Sequence, residues 1–441
     1  MSIVVYDAMC GQGKTERIIK EIAEKVNPVL YISPLLSEVD RVCGYLFDED
    51  SKRMKDDDGN LMYQEDHPLV NKQFVSPTKG WGFNKSDSIR ILLQEGRNIA
   101  STHSLFSMLD AECLKIIKDN SYELIIDEEL CVWKKFQVQE YKESENDNGL
   151  DFLEETESRG MSKTDKEVAN LIANGVIEVD PIGMLHWQDD KYKLAYDGLM
   201  QVQIKKACDA HQLFLVSNKA VYWEFSVDLL KSFDRVTILT YLFESSYFSK
   251  YLNYYNIEYK LEKFGNSPKT IKHLVNIVEG KINDIGDKET ALSFTNLSKS
   301  TETRKVLNKN LNNFFRNICK SKAEDRLWTT YKCAKDMTQG RHKAAWLAFS
   351  TKATNDYINC KDVAYLCNNY PNVNIGMLIN TRTDETVDKD LWALSNMIQF
   401  VFRSRLRKGE PINLYVPSRR MRELFKRWLD GEFDEVCKGT N

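Results

Sequence analysis

The chain has 441 residues, 42% of them hydrophobic and 29% charged, a balance that suits two or three folded domains and excludes a disordered protein. Its net charge of −4 excludes a histone-like protein, so any polyanion must meet local basic patches. Ten cysteines without a C-x-x-C pair argue against structural zinc and for reduced thiols in a cytosol, and no apolar run of about eighteen residues marks a membrane span.

The first element is the most informative. Ile3-Val4-Val5-Tyr6 reads as a short buried strand. Ala8, Gly11 and Gly13 permit a tight loop, and Ile18, Ile19, Ile22, Ala23 and Val26 then recur at helical spacing. Ala8, four residues, then Gly13-Lys14-Thr15 is the spacing of a P-loop, in the strand–loop–helix context that motif requires. Gly11, Gln12, Gly13, Lys14 and Thr15 are therefore expected to cradle phosphates, with Lys14 on the outer phosphates and Thr15 on Mg²⁺. MSIVVYDAM reads as a domain strand and not as a basic leader, which predicts a cytoplasmic protein, or one of the host cytoplasm.

Further strands are predicted at Val29–Pro34, Asn98–Ser104, Leu124–Asp127 and Val236–Tyr241, with helical stretches between them. This alternation predicts a mainly parallel sheet. The fourth strand ends in Asp127-Glu128-Glu129. Asp127 is expected to hold Mg²⁺, mostly through water, and Glu128 to orient and deprotonate an attacking water.

Glu143 to Glu157 is acidic without Lys or Arg and reads as a solvated insertion or flexible helix, with a docking site or a guard against nucleic acid as the functional alternative. Leu213 to Phe225 predicts a hairpin turning near Ser217-Asn218. A Gly/Asn/Ser/Pro cluster within Lys260–Lys272 predicts a linker. After it, strands are predicted at Thr290–Asn296, Leu327–Tyr331, Trp346–Ser350, Val363–Cys367 and Ile412–Val416. Leu394 to Arg407 reads as one helix, on which Gln399, Arg403 and Arg407 share a face while Arg405 points elsewhere. A glutamine with a row of arginines suits a phosphate clamp acting in trans, because the guanidinium fork grips phosphate oxygens and keeps its charge.

P-loop, acidic strand end and Q-x-x-x-R helix in this order resemble a superfamily two helicase. The wording resembles more closely a group of phage-encoded DEAD-like DNA helicases. Its third motif is similar to Leu239–Ser246 (LTYLFESS), its fifth to Lys352–Tyr357 (KATNDY) and its sixth to Ile398–Met421. The resemblance implies an α/β fold of two tandem RecA-like P-loop domains with parallel sheets: residues 1–262 with an insertion at about 132–210, and residues 263–441 with the arginine helix. It implies ATP and Mg²⁺ in the cleft between them, with Lys14, Glu128, Gln399, Arg403 and Arg407 catalytic. It also implies single-stranded or forked DNA as partner, with RNA as the alternative, touching Ser33, Pro34, Thr102, His103, Thr295, Asn296, Thr354 and Asn355. Replication proteins would be further partners, no membrane is implied, and the oligomeric state is open.

Three departures from the pattern stand out. The position seven residues after Gln399 is Leu406, so Arg405 or Arg407 must take the place of the second arginine, with Arg407 preferred for its helical face. The third motif lacks Ser-Ala-Thr, which leaves the coupling role of Thr240 open. No adenine-reading glutamine segment is expected before the P-loop, so nucleotide preference is open. The competing reading is a terminase-type packaging ATPase, whose nuclease would need clustered acids such as Asp384, Asp388 and Asp390.

Overall fold

The computed structural model describes residues 1–48, 52–78, 82–138, 161–189, 198–338, 342, 345–351, 356–383 and 385–434. In chain order the strands are β1 (Ser2–Asp7), β2 (Val29–Ser33), β3 (Ile99–Thr102), β4 (Glu123–Asp127), β5 (Trp133–Lys135), β6 (Ile177–Val179), β7 (Leu185–Trp187), β8 (Leu213–Val216) and β9 (Ala220–Glu224). They continue as β10 (Arg235–Thr240), β11 (Tyr259–Lys263), β12 (Val275–Ile277), β13 (Arg326–Thr329), β14 (Asp362–Tyr365) and β15 (Ile412–Tyr415).

The chain forms two α/β units. The first comprises Met1–Cys131, Phe225–Phe243 and Leu252–Phe264; the second comprises Val132–Glu224, Glu244–Tyr251 and Gly265–Asn441. The segment 132–224 thus groups with the second unit, whereas its larger part was expected as an insertion in the first. The acidic run Glu143–Glu157 lies outside the described residues.

The first unit is a six-stranded sheet in the order β11-β1-β10-β4-β2-β3, parallel throughout. A parallel sheet is covered on both faces, which is why β2 is buried along its whole length. Helix α1 (Lys14–Glu24) places Ile18, Ile19 and Ile22 in one buried cluster with Tyr6, Tyr31, Ile125 and Leu239. The strand before the P-loop and the strand before the acids are separated by β10 alone. Their C-terminal ends therefore lie at one edge of the sheet, where open α/β sheets bind ligands.

In the second unit β12-β15-β14-β13 form a parallel sheet, while β5-β9-β8 and β6-β7 are antiparallel. The hairpin β8–β9 turns through Ser217 and Asn218, both at positive φ. Two expected strands are absent. Thr290–Asn296 is turn followed by the helix Phe294–Lys299, because the Ser293 side chain caps it by accepting from the Asn296 N–H at 3.3 Å. Trp346–Ser350 forms a single bridge, Trp346 to Trp328, and no strand. Among the described residues no helix is long and apolar enough to cross a membrane.

Candidate nucleotide-binding site

The loop Ala8–Gly13 follows β1 and opens into α1. Gly11 and Gly13 both take φ +79°, the left-handed conformation that side chains disfavour and in which successive backbone N–H groups can converge on an anion. Gly13 is the N-cap of α1 and supplies no side chain there, so the first turn keeps its N–H groups for a ligand. The Lys14 ammonium donates to the Ala8 carbonyl and, at 3.3 Å, to the Met9 carbonyl. It is thereby held folded over the loop it follows.

Asp127 ends β4 and accepts from the Ser33 hydroxyl at 3.1 Å. Burial pushes its carboxyl up to about 7, and the Glu128 and Glu38 charges reinforce this against the pull of Ser33 and Lys14. A crowded acid of this kind is relieved by a cation. Glu128 takes φ +63°, and its N–H donates to the Leu239 carbonyl at 2.9 Å, which fixes the turn carrying it. Glu129 accepts from the Thr240 hydroxyl at 3.1 Å.

These residues fit a magnesium nucleotide: a glycine cradle with a lysine, a hydroxyl at Thr15 and a crowded acid. Among the described residues no group of three or more His, Cys, Asp or Glu could hold a metal ion by itself.

The strand-contact residues fare differently. Ser33 is buried, and its hydroxyl donates to Asp127. Pro34, Thr102 and His103 are half-buried; Thr102 caps the short helix His103–Phe106 by accepting from the Leu105 N–H at 3.3 Å. Thr295 is exposed on a helix, and the Asn296 amide is spent on Ala291 and Thr303. Thr354 and Asn355 lie outside the described residues.

The arginine helix of the second unit is shorter than expected. It spans Lys389–Val401 and carries Gln399, half-buried, near its end. Arg403 follows the break, is 5% exposed, and donates to the Thr351 carbonyl at 3.1 Å. Ser404 then caps a 3-10 turn, Arg405–Lys408. Arg405 is held by the Pro411 carbonyl at 2.5 Å, and Arg407 is exposed. The shared face for Gln399, Arg403 and Arg407 therefore does not form, because the helical geometry it needs stops at Val401.

A family model, the YonV C-terminal Rossmann-like domain, matches residues 269–429. The chain is also 30% identical to the SPbeta prophage-derived uncharacterized protein YonV of Bacillus subtilis (strain 168), across 98% of this chain and 99% of that protein. The chain belongs to the YonV family. A solved structure described as XPD helicase is 13% identical, with a TM-score of 0.43 over 99% of this chain and 90% of that one.

In this YonV-family chain the region matched by the family model holds Gln399, the arginines and the sheet β12–β15, while the P-loop and Asp127 lie outside it. One buried acid beside the loop escaped the sequence reading. Asp7, the last residue of β1, is buried and accepts from the Leu242 N–H at 2.7 Å and the Phe243 N–H at 3.1 Å. Burial raises its carboxyl pKa, opposed by those two N–H groups and by Lys263 and Lys14. The signal was available: an acid closing an apolar strand directly before a P-loop has no solvent to face.

Proposed function

We propose that the chain is an ATP-dependent nucleic-acid helicase or translocase that acts on DNA. The observation that carries this reading is the pairing, at one sheet edge, of Lys14 at the mouth of α1 with Asp127 and Glu128 at the end of β4. Lys14 binds and orients the outer phosphates. Thr15 and Asp127 would hold the magnesium, which when bound neutralises phosphate charge. Glu128, fixed by its backbone bond to Leu239, orients the attacking water and takes its proton. Arg403 and Arg407 are assigned to stabilising charge on the transferring phosphoryl group.

The prophage origin of the Bacillus relative supports a setting in phage replication or recombination. The terminase reading loses support. Asp388 is spent capping the helix Lys389–Val401, and Asp390 pairs with Arg420 at 2.7 Å.

The test is steady-state phosphate release from MgATP with no polymer, single-stranded DNA, duplex DNA and RNA in parallel. Single-stranded DNA should give the largest acceleration, and its effect should weaken with salt, because phosphate contacts release counterions. Hydrolysis indifferent to every polymer would overturn the translocase reading while leaving the ATPase. Acceleration by RNA alone would replace DNA as the substrate.

A further inference from the structure

Asp7 has no part in the chemistry just assigned, yet it sits at the joint between two functional stretches. On one side it is bonded covalently to Ala8, the first residue of the P-loop. On the other its carboxylate holds the N–H groups of Leu242 and Phe243. Leu242 takes φ +59°, a left-handed conformation uncommon for leucine and sustained only where neighbours enforce it. Phe243 is the last residue of its segment in the first unit, and the chain enters the second unit at Glu244.

The joint is tied at a second point. The Ala8 N–H donates to the Thr240 carbonyl at 3.0 Å, and the Thr240 hydroxyl donates to Glu129, the neighbour of Glu128. The Ala8 carbonyl in turn accepts from Lys14. A phosphate that takes the Lys14 ammonium must loosen the Lys14 bonds to Ala8 and Met9. The peptide that responds is the one whose neighbour, Asp7, grips the 242–243 turn.

We infer that Asp7 is a positioning residue which transmits nucleotide occupancy of the P-loop to the strained turn at Leu242-Phe243, one of the points at which the chain leaves the first unit. This rests on the nucleotide-site reading above. Asp7 touches neither phosphate nor water in this account; it acts through the turn it clamps.

The experiment has two arms on the full chain. In the first, wild type and Asp7→Asn are compared for binding of a fluorescent ATP analogue and for MgATP hydrolysis. The amide keeps the shape, but its NH₂ opposes one of the two N–H groups. The expected split is a Kd within about threefold of wild type and a kcat lowered at least ~10-fold. Asp7→Asn hydrolysing at the wild-type rate overturns the inference. The second arm needs no variant, so it stands even where Asp7→Asn fails to fold. Amide hydrogen exchange of wild type is followed in a peptide covering Thr240–Ser246, with and without Mg²⁺ and a non-hydrolysable ATP analogue. Exchange at Leu242 and Phe243 should change when the analogue binds. Binding with unchanged exchange overturns the inference and leaves the nucleotide site intact. No binding at all overturns both.

Discussion

Arg403 is buried and Arg407 exposed, although they lie four positions apart, because the helix before them ends at Val401 and Ser404 restarts the chain as a 3-10 turn. Their substitutions should therefore differ in their cost to folding. Arg403→Ala leaves the Thr351 carbonyl without its donor and should cost about 1–3 kcal/mol of stability. Arg407→Ala should leave thermal unfolding unchanged. If Arg407 stabilises the transferring phosphoryl group, that same variant should lose ~10³-fold in kcat, the scale of arginine-finger losses. Melting curves and ATPase rates on the two variants decide it, and a fully active Arg407→Ala would move the role to another arginine.

The contrast shows what was legible in the sequence. Glycines, lysine and hydroxyl at fixed spacing after an apolar strand specify the strand–loop–helix turn from β1 to α1, and an apolar strand ending in acids specifies β4. Both depend on neighbours in sequence. The break after Val401 does not, because Phe402-Arg403-Ser404 carries no Gly or Pro and helical periodicity runs through it. What ends the helix is tertiary: the Arg405 N–H donates to the Cys360 carbonyl at 3.1 Å and the Arg403 side chain to Thr351. Likewise Thr290–Asn296 looks strand-like by composition, but Ser293 is a better helix cap than strand residue. β11 and β12, edge strands of five and three residues with polar positions, gave no alternation strong enough to read.

The P-loop contains a chemical reporter. Cys10 lies within it and is half-exposed. Nucleotide bound in the loop should slow its alkylation by iodoacetamide several-fold, read by mass spectrometry of the N-terminal peptide. Cys333, exposed in the second unit, serves as the internal reference. Equal alkylation of Cys10 with and without saturating MgATP would argue that the loop holds no phosphates.

Within the second unit Glu224 pairs with Arg382, both side chains 3% exposed, and accepts from the Trp133 indole at 2.5 Å. Arg382 also lies 3.6 Å from the Phe214 ring centroid. Arg382→Met removes the charge and leaves a buried carboxylate, which should cost about 3–5 kcal/mol. The double variant Arg382→Met with Glu224→Gln should recover part of that loss. Denaturant unfolding of both measures it; equal stability of single variant and wild type would show that the pair is not a buried one in solution.

His342 predicts a pH effect. Its Nε2–H donates to Asn312 Oδ1 at 3.1 Å, and its Nδ1 accepts from Arg326 at 3.2 Å, so the ring is neutral. Burial, with the charges of Arg326 and Arg316, holds its pKa down to about 4. The folded value lies below the unfolded one, so its contribution is full above about pH 6.5 and is lost as pH falls through 4. The loss when complete is about 3 kcal/mol. Unfolding free energies of wild type and His342→Gln between pH 7 and pH 4.5 should converge as pH falls, and parallel curves would contradict the assignment.

The central claim is that Lys14 and Glu128 form one ATP-hydrolysing site. The direct measurement is phosphate release from MgATP, with saturating single-stranded DNA, by wild type, Lys14→Ala and Glu128→Gln, alongside binding of a fluorescent ATP analogue to each. Wild type should hydrolyse and bind. Lys14→Ala should do neither well, having lost the charge that grips the phosphates. Glu128→Gln should bind as wild type does while turnover falls ~10²–10⁴-fold, the range for removing a general base. Glu128→Gln hydrolysing at the wild-type rate, or Lys14→Ala binding and hydrolysing normally, would contradict the account.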